Sequence, residues 1–515
     1  MKIARTLSFG LAGVSGYPVY VEVFCQNGMP VMDIIGLPDT SVRESKDRVN
    51  AAIINCGRTR KDPVRITINL APADTKKEGP SFDLPIAVGV MIGMETLHPA
   101  PEKDAENIAM FGELSLDGYV RPISGALPMA ISAKENGVGE IILPAENARE
   151  AACIEGLRII PVCHLAEVID YLEGKTDIAP QAQVSYEELK RESVHTVDMA
   201  QIRGQAAARR AMEVAAAGGH NMLMVGVPGS GKTMLARCLP GILPPLTFEE
   251  ALETTRIHSI SGRLRSGGGL MVTRPFCAPH HSASVASLIG GGQDAKPGEV
   301  SLAHNGVLFL DELPEFSRAA LEALRQPLED GVVTVSRVRK QALYQSSFML
   351  VAAMNPCPCG FYGSSRKACR CTPPEIRRYL DRVSGPLLDR IDIQIEVDSV
   401  PVEEIEHSAP SESSAVVAAR VAAARALQQE RYSGSGRFCN AQLDNESLRQ
   451  YCELGGEASR LLHAAVDAMH MSMRGYNRIL KVARTIADLA GEEKISTNHI
   501  AEAVQYRELD QKYWR

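Results

Sequence analysis

The sequence contains no uninterrupted run of roughly 18 apolar residues, so we expect no transmembrane helix. Its first segment, Met1–Gly16, carries Lys2 and Arg5, but serine and glycine break the apolar stretch that follows them. A secretion signal needs a continuous apolar core, and this segment is therefore predicted to be the first β-strand.

An excess of positive charge is also missing. Lysine and arginine total 55 against 62 aspartate and glutamate residues, which leaves a net charge of −7 at pH 7. This balance excludes wholesale attraction to nucleic acid or to an anionic membrane. Any DNA binding must therefore come from a local basic patch.

Most of the chain lacks paired cysteines. Of its 12 cysteines, eight stand singly, which is typical of a reduced, cytoplasmic protein rather than of a secreted disulfide framework. The composition, 45% hydrophobic and 23% charged over 515 residues, is that of a soluble globular protein with about two to four domains.

A phosphate-binding loop stands at residues 226–233, which read G-V-P-G-S-G-K-T and match G-x-x-x-x-G-K-[ST] without a mismatch. Its glycines let backbone N–H groups surround a phosphate. Lys232 would reach the β- and γ-phosphates of ATP, and the Thr233 hydroxyl would bind Mg²⁺. A chance match to a Gly-rich turn is the alternative. The predicted cofactor-binding residues are Gly226, Pro228, Gly229, Ser230, Gly231, Lys232 and Thr233.

A second motif, G-V-L-F-L-D-E at residues 306–312, supports the first. Its apolar residues predict a strand buried on both faces of a parallel sheet. At the end of this strand, Asp311 would complete the Mg²⁺ shell and Glu312 would polarise the attacking water. The alternative, a core strand ending in a solvated acidic turn, is disfavoured by the phosphate-binding loop.

Three further polar residues stand where a nucleotide site needs them. Asn355 ends a predicted buried strand, which suits a γ-phosphate sensor. Arg390, in L-L-D-R-I-D, suits a finger that reaches the γ-phosphate of a neighbouring subunit. Arg474 precedes a predicted helix, where a lid arginine touches phosphate. Each also has a structural alternative: a strand end, a salt bridge or a solvated helix start.

The remaining four cysteines form one cluster, C-x-C and C-x-C separated by nine residues. Four thiolates this close in a reduced protein predict tetrahedral Zn²⁺, although the pairs are tighter than the usual C-x₂-C. Four reduced loop cysteines are the alternative. The predicted zinc ligands are Cys357, Cys359, Cys369 and Cys371. No ligand spacing supports a metal at the histidines in and near the 246–300 insertion, which are predicted to make loop hydrogen bonds: His280, His281 and His304.

Residues 332–344 alternate apolar and polar side chains, and they predict a β-hairpin. Arg337, Arg339 and Lys340 would crowd its tip. These residues are candidate DNA contacts, and a solvated hairpin end is the alternative.

The N-terminal part predicts an α/β domain, and two of its segments resemble the Lon protease domain, which has a ribosomal S5-like fold. They are 77–83, K-E-G-P-S-F-D, and 111–150. By this resemblance Ser81 takes the place of the nucleophile, but Leu127 stands where the base lysine belongs. A serine without its base is a weak nucleophile, so we expect the fold without the protease activity.

The chain is predicted to be a multidomain α/β protein with an all-α end. A Lon-like domain at 1–175 is followed by a polar linker at 176–196. The P-loop ATPase core with a parallel sheet takes 197–400, and a helical lid takes 401–515.

The phosphate-binding loop, L-F-L-D-E-L, A-A-M-N-P-C-P-C-G and G-P-L-L-D-R-I-D together resemble the magnesium-chelatase-like AAA+ ATPases, most of all the YifB/ComM family. The resemblance covers nearly the whole chain. It implies a homohexameric ring that hydrolyses ATP between subunits and drives branch migration of DNA in natural transformation. Single-stranded and branched DNA, and recombination proteins, are the expected partners. The implied catalytic residues are Lys232, Asp311, Glu312, Asn355 as sensor 1, Arg390 as the trans finger and Arg474 as sensor 2.

Two other functions stay open. The chain could be a chelatase motor that inserts Mg²⁺ into a porphyrin, although a Lon-like domain has no obvious role there. It could also be an ATP-dependent protease, which Leu127 disfavours. Stimulation of ATP hydrolysis by DNA would separate a DNA motor from both.

Overall fold

The computed structural model of the protein describes residues 3–13, 15–60, 62–192, 197–264, 270–291, 295–337, 340–364, 367–400 and 411–514. The chain divides into two units. One consists of residues 1–193 with 247–272, and the other of 194–246 with 273–515.

A seven-stranded mixed sheet organises the first unit, in the order β3-β4-β2-β1-β5-β8-β9. β1 pairs antiparallel with β2, whereas β5, β8 and β9 run parallel. The strands are β1 Ala4–Ala12, β2 Ser15–Asn27, β3 Val31–Ile35, β4 Val64–Ala71, β5 Ile108–Met110, β6 Glu113–Leu114, β7 Val120–Arg121, β8 Glu140–Pro144 and β9 Arg158–Val162. The helices are α1 Thr40–Asn55, α2 Asp83–Gly93, α3 Ala126–Glu135, α4 Ala145–Ala151, α5 Leu165–Leu172 and α6 Tyr186–Glu192, and the chain adds a later helix, α9 Phe248–Ile260.

Alternation along the strands sends apolar side chains to both faces of this sheet. Val21 and Val23 of β2 are fully buried in the core that includes α1, α2 and α5. Leu7 and Phe9 of β1 are buried in a second core with α3 and α4. A sheet covered on both faces is the α/β architecture that the sequence predicts.

A five-stranded parallel sheet organises the second unit, in the order β11-β14-β17-β10-β18. The strands of this unit are β10 Met222–Val225, β11 Phe276–Cys277, β12 Gly290–Gly291, β13 Lys296–Pro297, β14 Val307–Leu310, β15 Val332–Arg337, β16 Lys340–Gln345, β17 Met349–Met354 and β18 Ile393–Glu396. Its first helices are α7 Ala206–Gly218, α8 Lys232–Cys238, α10 Val285–Ile289, α11 Glu299–Leu302, α12 Arg318–Ala323, α13 Arg325–Asp330, α14 Pro373–Leu380 and α15 Gly385–Leu388.

The C-terminal part is helical, as predicted. Its helices are α16 Ser414–Arg431, α17 Asn445–Tyr451, α18 Gly456–Ala468, α19 Met473–Ala490, α20 Thr497–Gln505 and α21 Leu509–Trp514. The apolar sides of α16 and α19 pack against α7 and share the core of the parallel sheet. None of the helices described here is both long and apolar enough to span a membrane.

The helix α9 belongs to the first unit although its sequence interrupts the second. Thr247 caps it in a capping box with Glu250. The buried side of α9 packs against α3 and carries Ser259 towards α4. The insertion that separates the phosphate-binding loop from the acidic strand is therefore partly a structural element of the N-terminal unit.

A buried carboxylate, Glu150 of α4, faces α9. Its side chain accepts hydrogen bonds from Asn147 Nδ2 at 2.7 Å and from Ser259 Oγ at 3.3 Å, and the residue is 5% exposed. Burial raises the pKa of Glu150 from its ordinary 4.5 to about 7, against the opposing effect of the two hydrogen bonds. The folded protein therefore binds this proton more tightly than the unfolded chain between pH 4.5 and 7, so stability falls as pH rises through that window.

We expect Glu150→Gln to stabilise the N-terminal unit at pH 8 by roughly 3 kcal/mol, because the amide carries no charge to bury. Its oxygen can accept from Asn147, and its NH₂ group can donate to the Ser259 hydroxyl. Thermal unfolding at pH 5 and pH 8 checks this: the difference between the variant and the parent should widen with pH. Glu146→Gln, at an exposed position of α4, is the control and should follow the parent. If the melting temperatures of the parent and Glu150→Gln change equally with pH, ionisation of Glu150 does not destabilise the fold, and the prediction is wrong.

Candidate functional site

The phosphate-binding loop lies at the carboxyl edge of the parallel sheet, between β10 and α8. Gly226 is required sterically, since a Cβ there would meet the Val397 carbonyl oxygen at 2.2 Å. Gly229 and Gly231 have φ values of 76° and 91°, in the left-handed region that favours glycine. These conformations turn the chain from the strand into the helix that begins at Lys232.

Lys232 is held inside the loop, where it is only 8% exposed. Its ammonium donates to the carbonyl oxygens of Gly226 at 2.8 Å and Val227 at 2.9 Å, and it lies 3.4 Å from Asn355 Oδ1. Burial lowers the pKa of Lys232, and the Asp311 carboxylate opposes that effect. The sheet thus places the predicted phosphate-binding cation beside the predicted sensor, because β17 lies next to β10.

The acidic pair follows β14, one strand further along the sheet. Asp311 Oδ2 accepts a hydrogen bond from the Thr233 hydroxyl at 2.8 Å. A hydroxyl and a carboxylate at this distance fit the ligands that Mg²⁺ takes beside a nucleotide phosphate. Glu312 adopts a left-handed conformation, φ 53°, which is uncommon for a residue other than glycine.

A histidine that was predicted only to make loop hydrogen bonds contacts the acidic pair. His281 Nδ1 lies 3.1 Å from Glu312 Oε2, and the His280 ring lies 4.0 Å from the His281 ring. Both rings line a cavity of about 270 Å³ with Thr233 and Asp311. The contact arises because β11, which precedes A-P-H-H, pairs parallel with β14.

Arg390 follows α15 and is buried by its neighbours, with a side chain only 11% exposed. Its guanidinium forms an ion pair with Glu329, which lies on α13, and donates to the Pro386 carbonyl oxygen at 2.5 Å. Burial lowers the pKa of Arg390, and the nearby Arg325, Arg474 and Arg478 lower it further. Within the single chain, Arg390 is therefore already paired with a carboxylate, Glu329.

Arg474 lies in the first turn of α19 with a side chain that is 73% exposed, and it approaches Asp389 at 3.8 Å. Arg478, one turn later, is buried and donates to Asp389 Oδ1 at 2.9 Å. Both arginines therefore converge on the residue that precedes Arg390. The sequence pattern indicated only the first of them.

The four cysteines of the predicted zinc site come together. Their sulfur atoms all lie within 4.8 Å of one another, with Cys357 Sγ 3.4 Å from Cys359 Sγ and 3.7 Å from Cys369 Sγ. Zn–S bonds of about 2.3 Å in a tetrahedron require sulfur atoms about 3.8 Å apart, so the donor set fits a metal ion. The Arg370 backbone lowers the pKa of the Cys359 thiol to about 6, which favours a thiolate at that position, whereas the neighbouring cysteines raise the pKa of Cys369 and Cys371.

The predicted hairpin is confirmed as β15 and β16, which pair antiparallel from Val332↔Gln345 to Arg337↔Lys340. Arg339 lies outside the described residues, as do the side chains of Arg337 and Lys340. Their proposed contact with DNA stays a prediction.

The Lon-like segment keeps its serine but not its base. Ser81 is buried in a 3₁₀ turn, Pro80–Phe82, and Leu127 is fully buried in α3. Lys77 is also buried, and its ammonium donates to the carbonyl oxygens of Pro72 and Thr75. Burial lowers the pKa of Lys77. Its ammonium group is hydrogen-bonded to the turn that precedes Ser81 and not to the serine itself.

Models of known families match most of the chain. Three family models match: magnesium chelatase subunit ChlI over residues 198–405, subunit ChlI of Mg-chelatase over 21–147, and the ChlI C-terminal region over 411–507. The N-terminal resemblance to Lon is also found, since 100 residues are 35% identical to Lon protease 2 of Bacillus subtilis. That match covers 19% of this chain and 17% of the protease.

Full-length relatives agree with the family models. The YifB protein of Salmonella typhimurium is 43% identical over 512 residues, which cover 99% of this chain and 98% of the relative. The competence protein ComM of Haemophilus influenzae is 42% identical over 517 residues, with the same coverage of 99% and 98%. The chain therefore belongs to the magnesium-chelatase-like AAA+ family of YifB and ComM.

Proposed function

We propose that this protein is an ATP-dependent DNA motor that works as a homohexamer and moves branched DNA during recombination or natural transformation. One observation carries the proposal: the side chains of the predicted nucleotide site lie together in a chain that is 42% identical over nearly its full length to a competence protein. The chain's −7 net charge confines DNA binding to local basic surfaces, which a ring would repeat in every subunit.

Each residue of the site has a task that its position supports. Lys232 exchanges the loop carbonyls for phosphate oxygens, and Asn355 stays within reach of the same phosphates. Thr233 and Asp311 would hold Mg²⁺, which neutralises charge on the phosphates when it is bound. Glu312 would orient the attacking water after its carboxylate separates from His281.

The ion pair of Arg390 with Glu329 is the salt-bridge alternative, so a role of Arg390 between subunits requires this pair to open. An arginine finger must reach the γ-phosphate of another chain, and in the single chain Arg390 is held by Glu329 instead. Formation of a ring would have to replace this partner. Arg474 is exposed beside it and remains a candidate for contact with phosphate.

A protease function receives no support from the N-terminal unit, because buried Leu127 gives Ser81 no base. The chelatase motor remains the other candidate from the family, and the response to DNA separates it from the DNA motor.

We propose that the cysteine cluster holds a structural Zn²⁺ ion. Four thiolates close the coordination sphere, so no position stays open for a catalytic water. The helix α14 begins at Pro373, two residues after Cys371, and the metal would fix its start.

The first prediction from the proposed function is that single-stranded and branched DNA raise the rate of ATP hydrolysis several-fold. Lys232→Ala should reduce both the basal and the stimulated rate more than 100-fold, because it removes the cation at the phosphates. Lys296→Ala, at an exposed lysine of β13, is the matched control and should behave like the parent. A parent that hydrolyses ATP but neither binds nor responds to any DNA would refute the DNA motor and favour the chelatase-type motor.

The second prediction is that Arg390 acts in a neighbouring subunit's site. Lys232→Ala and Arg390→Ala proteins should each be inactive, and mixed hexamers should recover part of the ATPase rate. Recovery occurs because some interfaces then combine an intact loop with an intact finger. Mixtures that form hexamers but stay as inactive as the separate variants would place Arg390 in its own site.

The third prediction concerns the metal. Elemental analysis of protein purified without chelator should find about one zinc ion per chain. Cys359→Ser combined with Cys371→Ser should release the metal and lower the melting temperature, whereas Cys163→Ser, at an exposed lone cysteine, should change neither. Absence of zinc from the parent protein would refute this proposal.

A further inference from the structure

An open cavity of about 710 Å³ lies in the second unit, between α14 and the segment that follows the acidic pair. We call it the arginine groove. Its charged residues are Arg318, Arg377, Arg378 and Arg382 with Glu315 and Asp381. Pro314, Phe316 and Pro374 complete the lining.

Most of the positive charge of the groove is available to a ligand. Arg382 Nη1 forms an ion pair with Glu315 at 2.9 Å. Arg318, Arg377 and Arg378 are exposed, and the structure gives none of them an ion-pair partner within 4.0 Å among the residues it describes. In a chain of net charge −7, this cluster is the kind of local patch that an anionic partner requires.

The arrangement suits a strand with several phosphates better than a single small anion. Arg378 and Arg382 are four residues apart on and just after α14, a rise of about 6 Å, so they would contact different phosphates. Arg318 approaches the same cavity from α12. One guanidinium group can donate two parallel hydrogen bonds to the oxygens of a phosphate. Exposed arginines on two elements along an open groove can therefore contact successive phosphates of a nucleic-acid backbone, whereas a single ion would need them to surround it.

The inner side of α14 touches the nucleotide site. Tyr379 is buried, and burial raises the pKa of its hydroxyl, whereas the nearby backbone of Asn355 opposes that shift. Arg382 also donates to the Pro314 carbonyl oxygen at 3.4 Å, in the 3₁₀ turn that directly follows Glu312. A ligand that draws on Arg378 and Arg382 therefore acts on a helix in contact with the sensor and next to the acidic pair.

We propose that the arginine groove binds the phosphate backbone of a nucleic-acid strand and that α14 connects this binding to the ATP site. The inference rests on the proposed DNA motor and adds a second contact surface to the hairpin tip. The proposal also suggests a role for the cysteine cluster, because the cluster directly precedes α14 and a bound metal would fix the position of that helix in the groove.

The test uses the full-length protein with a non-hydrolysable ATP analogue and a fluorescent single-stranded DNA. Arg377→Ala combined with Arg378→Ala should weaken binding about 10-fold or more at low salt. The slope of log affinity against log salt should become shallower by about 0.7 for each phosphate that the variant no longer neutralises. Arg449→Ala combined with Arg460→Ala removes the same charge from exposed positions of the C-terminal helices and should leave affinity and slope unchanged.

A charge-conserving variant keeps the test decisive. Arg377→Lys combined with Arg378→Lys should retain most of the salt slope but bind more weakly than the parent, because lysine lacks the paired donors. Melting temperatures identify any variant that does not fold. If the alanine variant does not fold, the affinity and salt slope of the lysine variant test the proposal.

Failure of the inference differs from failure of the proposed function. If the parent binds no DNA, the motor itself is wrong. If the parent binds DNA and the folded alanine variant has the same affinity and salt slope, the groove is not a binding site although the motor stands. An alanine variant that binds DNA normally but no longer forms hexamers would make the groove a subunit interface and overturn the inference.

Discussion

The buried ammonium group of Lys232 is the constraint on which the nucleotide site depends. A cation removed from water is costly unless it is hydrogen-bonded, and here the Gly226 and Val227 carbonyls, with Asn355 close by, supply the partners. This arrangement requires glycines that allow the loop to curl, and a sheet that places β17 beside β10. The same sheet brings Asp311 to Thr233, so one topology places the buried cation beside the predicted sensor and the predicted metal ligands.

The groups that the proposed mechanism uses are held by partners within the chain. Glu312 contacts His281, and Arg390 is paired with Glu329. Each contact must open before its residue can act on a nucleotide. The proposed motor would therefore hydrolyse ATP slowly as a single chain and faster once neighbours and DNA change these partners.

Two helices of the ATPase sequence have roles beyond the nucleotide site. The helix α9 belongs to the first unit, where it packs against α3 and its Ser259 donates a hydrogen bond to the buried Glu150. The helix α14 carries arginines on one side and Tyr379, which touches Asn355, on the other. Neither role is visible in the nucleotide-binding motifs, because both depend on how the helix packs.

The sequence by itself determined the features that depend on local pattern. The phosphate-binding loop, the acidic strand end, the hairpin and the cysteine cluster follow from residues close together in the chain, because strand alternation, glycine conformation and ligand spacing are local properties. Only the tertiary structure decided the contacts between distant segments. The contact of His281 with Glu312 depends on the pairing of β11 with β14, and Glu329 meets Arg390 across 61 residues. The packing of α9 and the arginine groove likewise depend on sheet order and helix placement, which no local spacing in one sequence specifies.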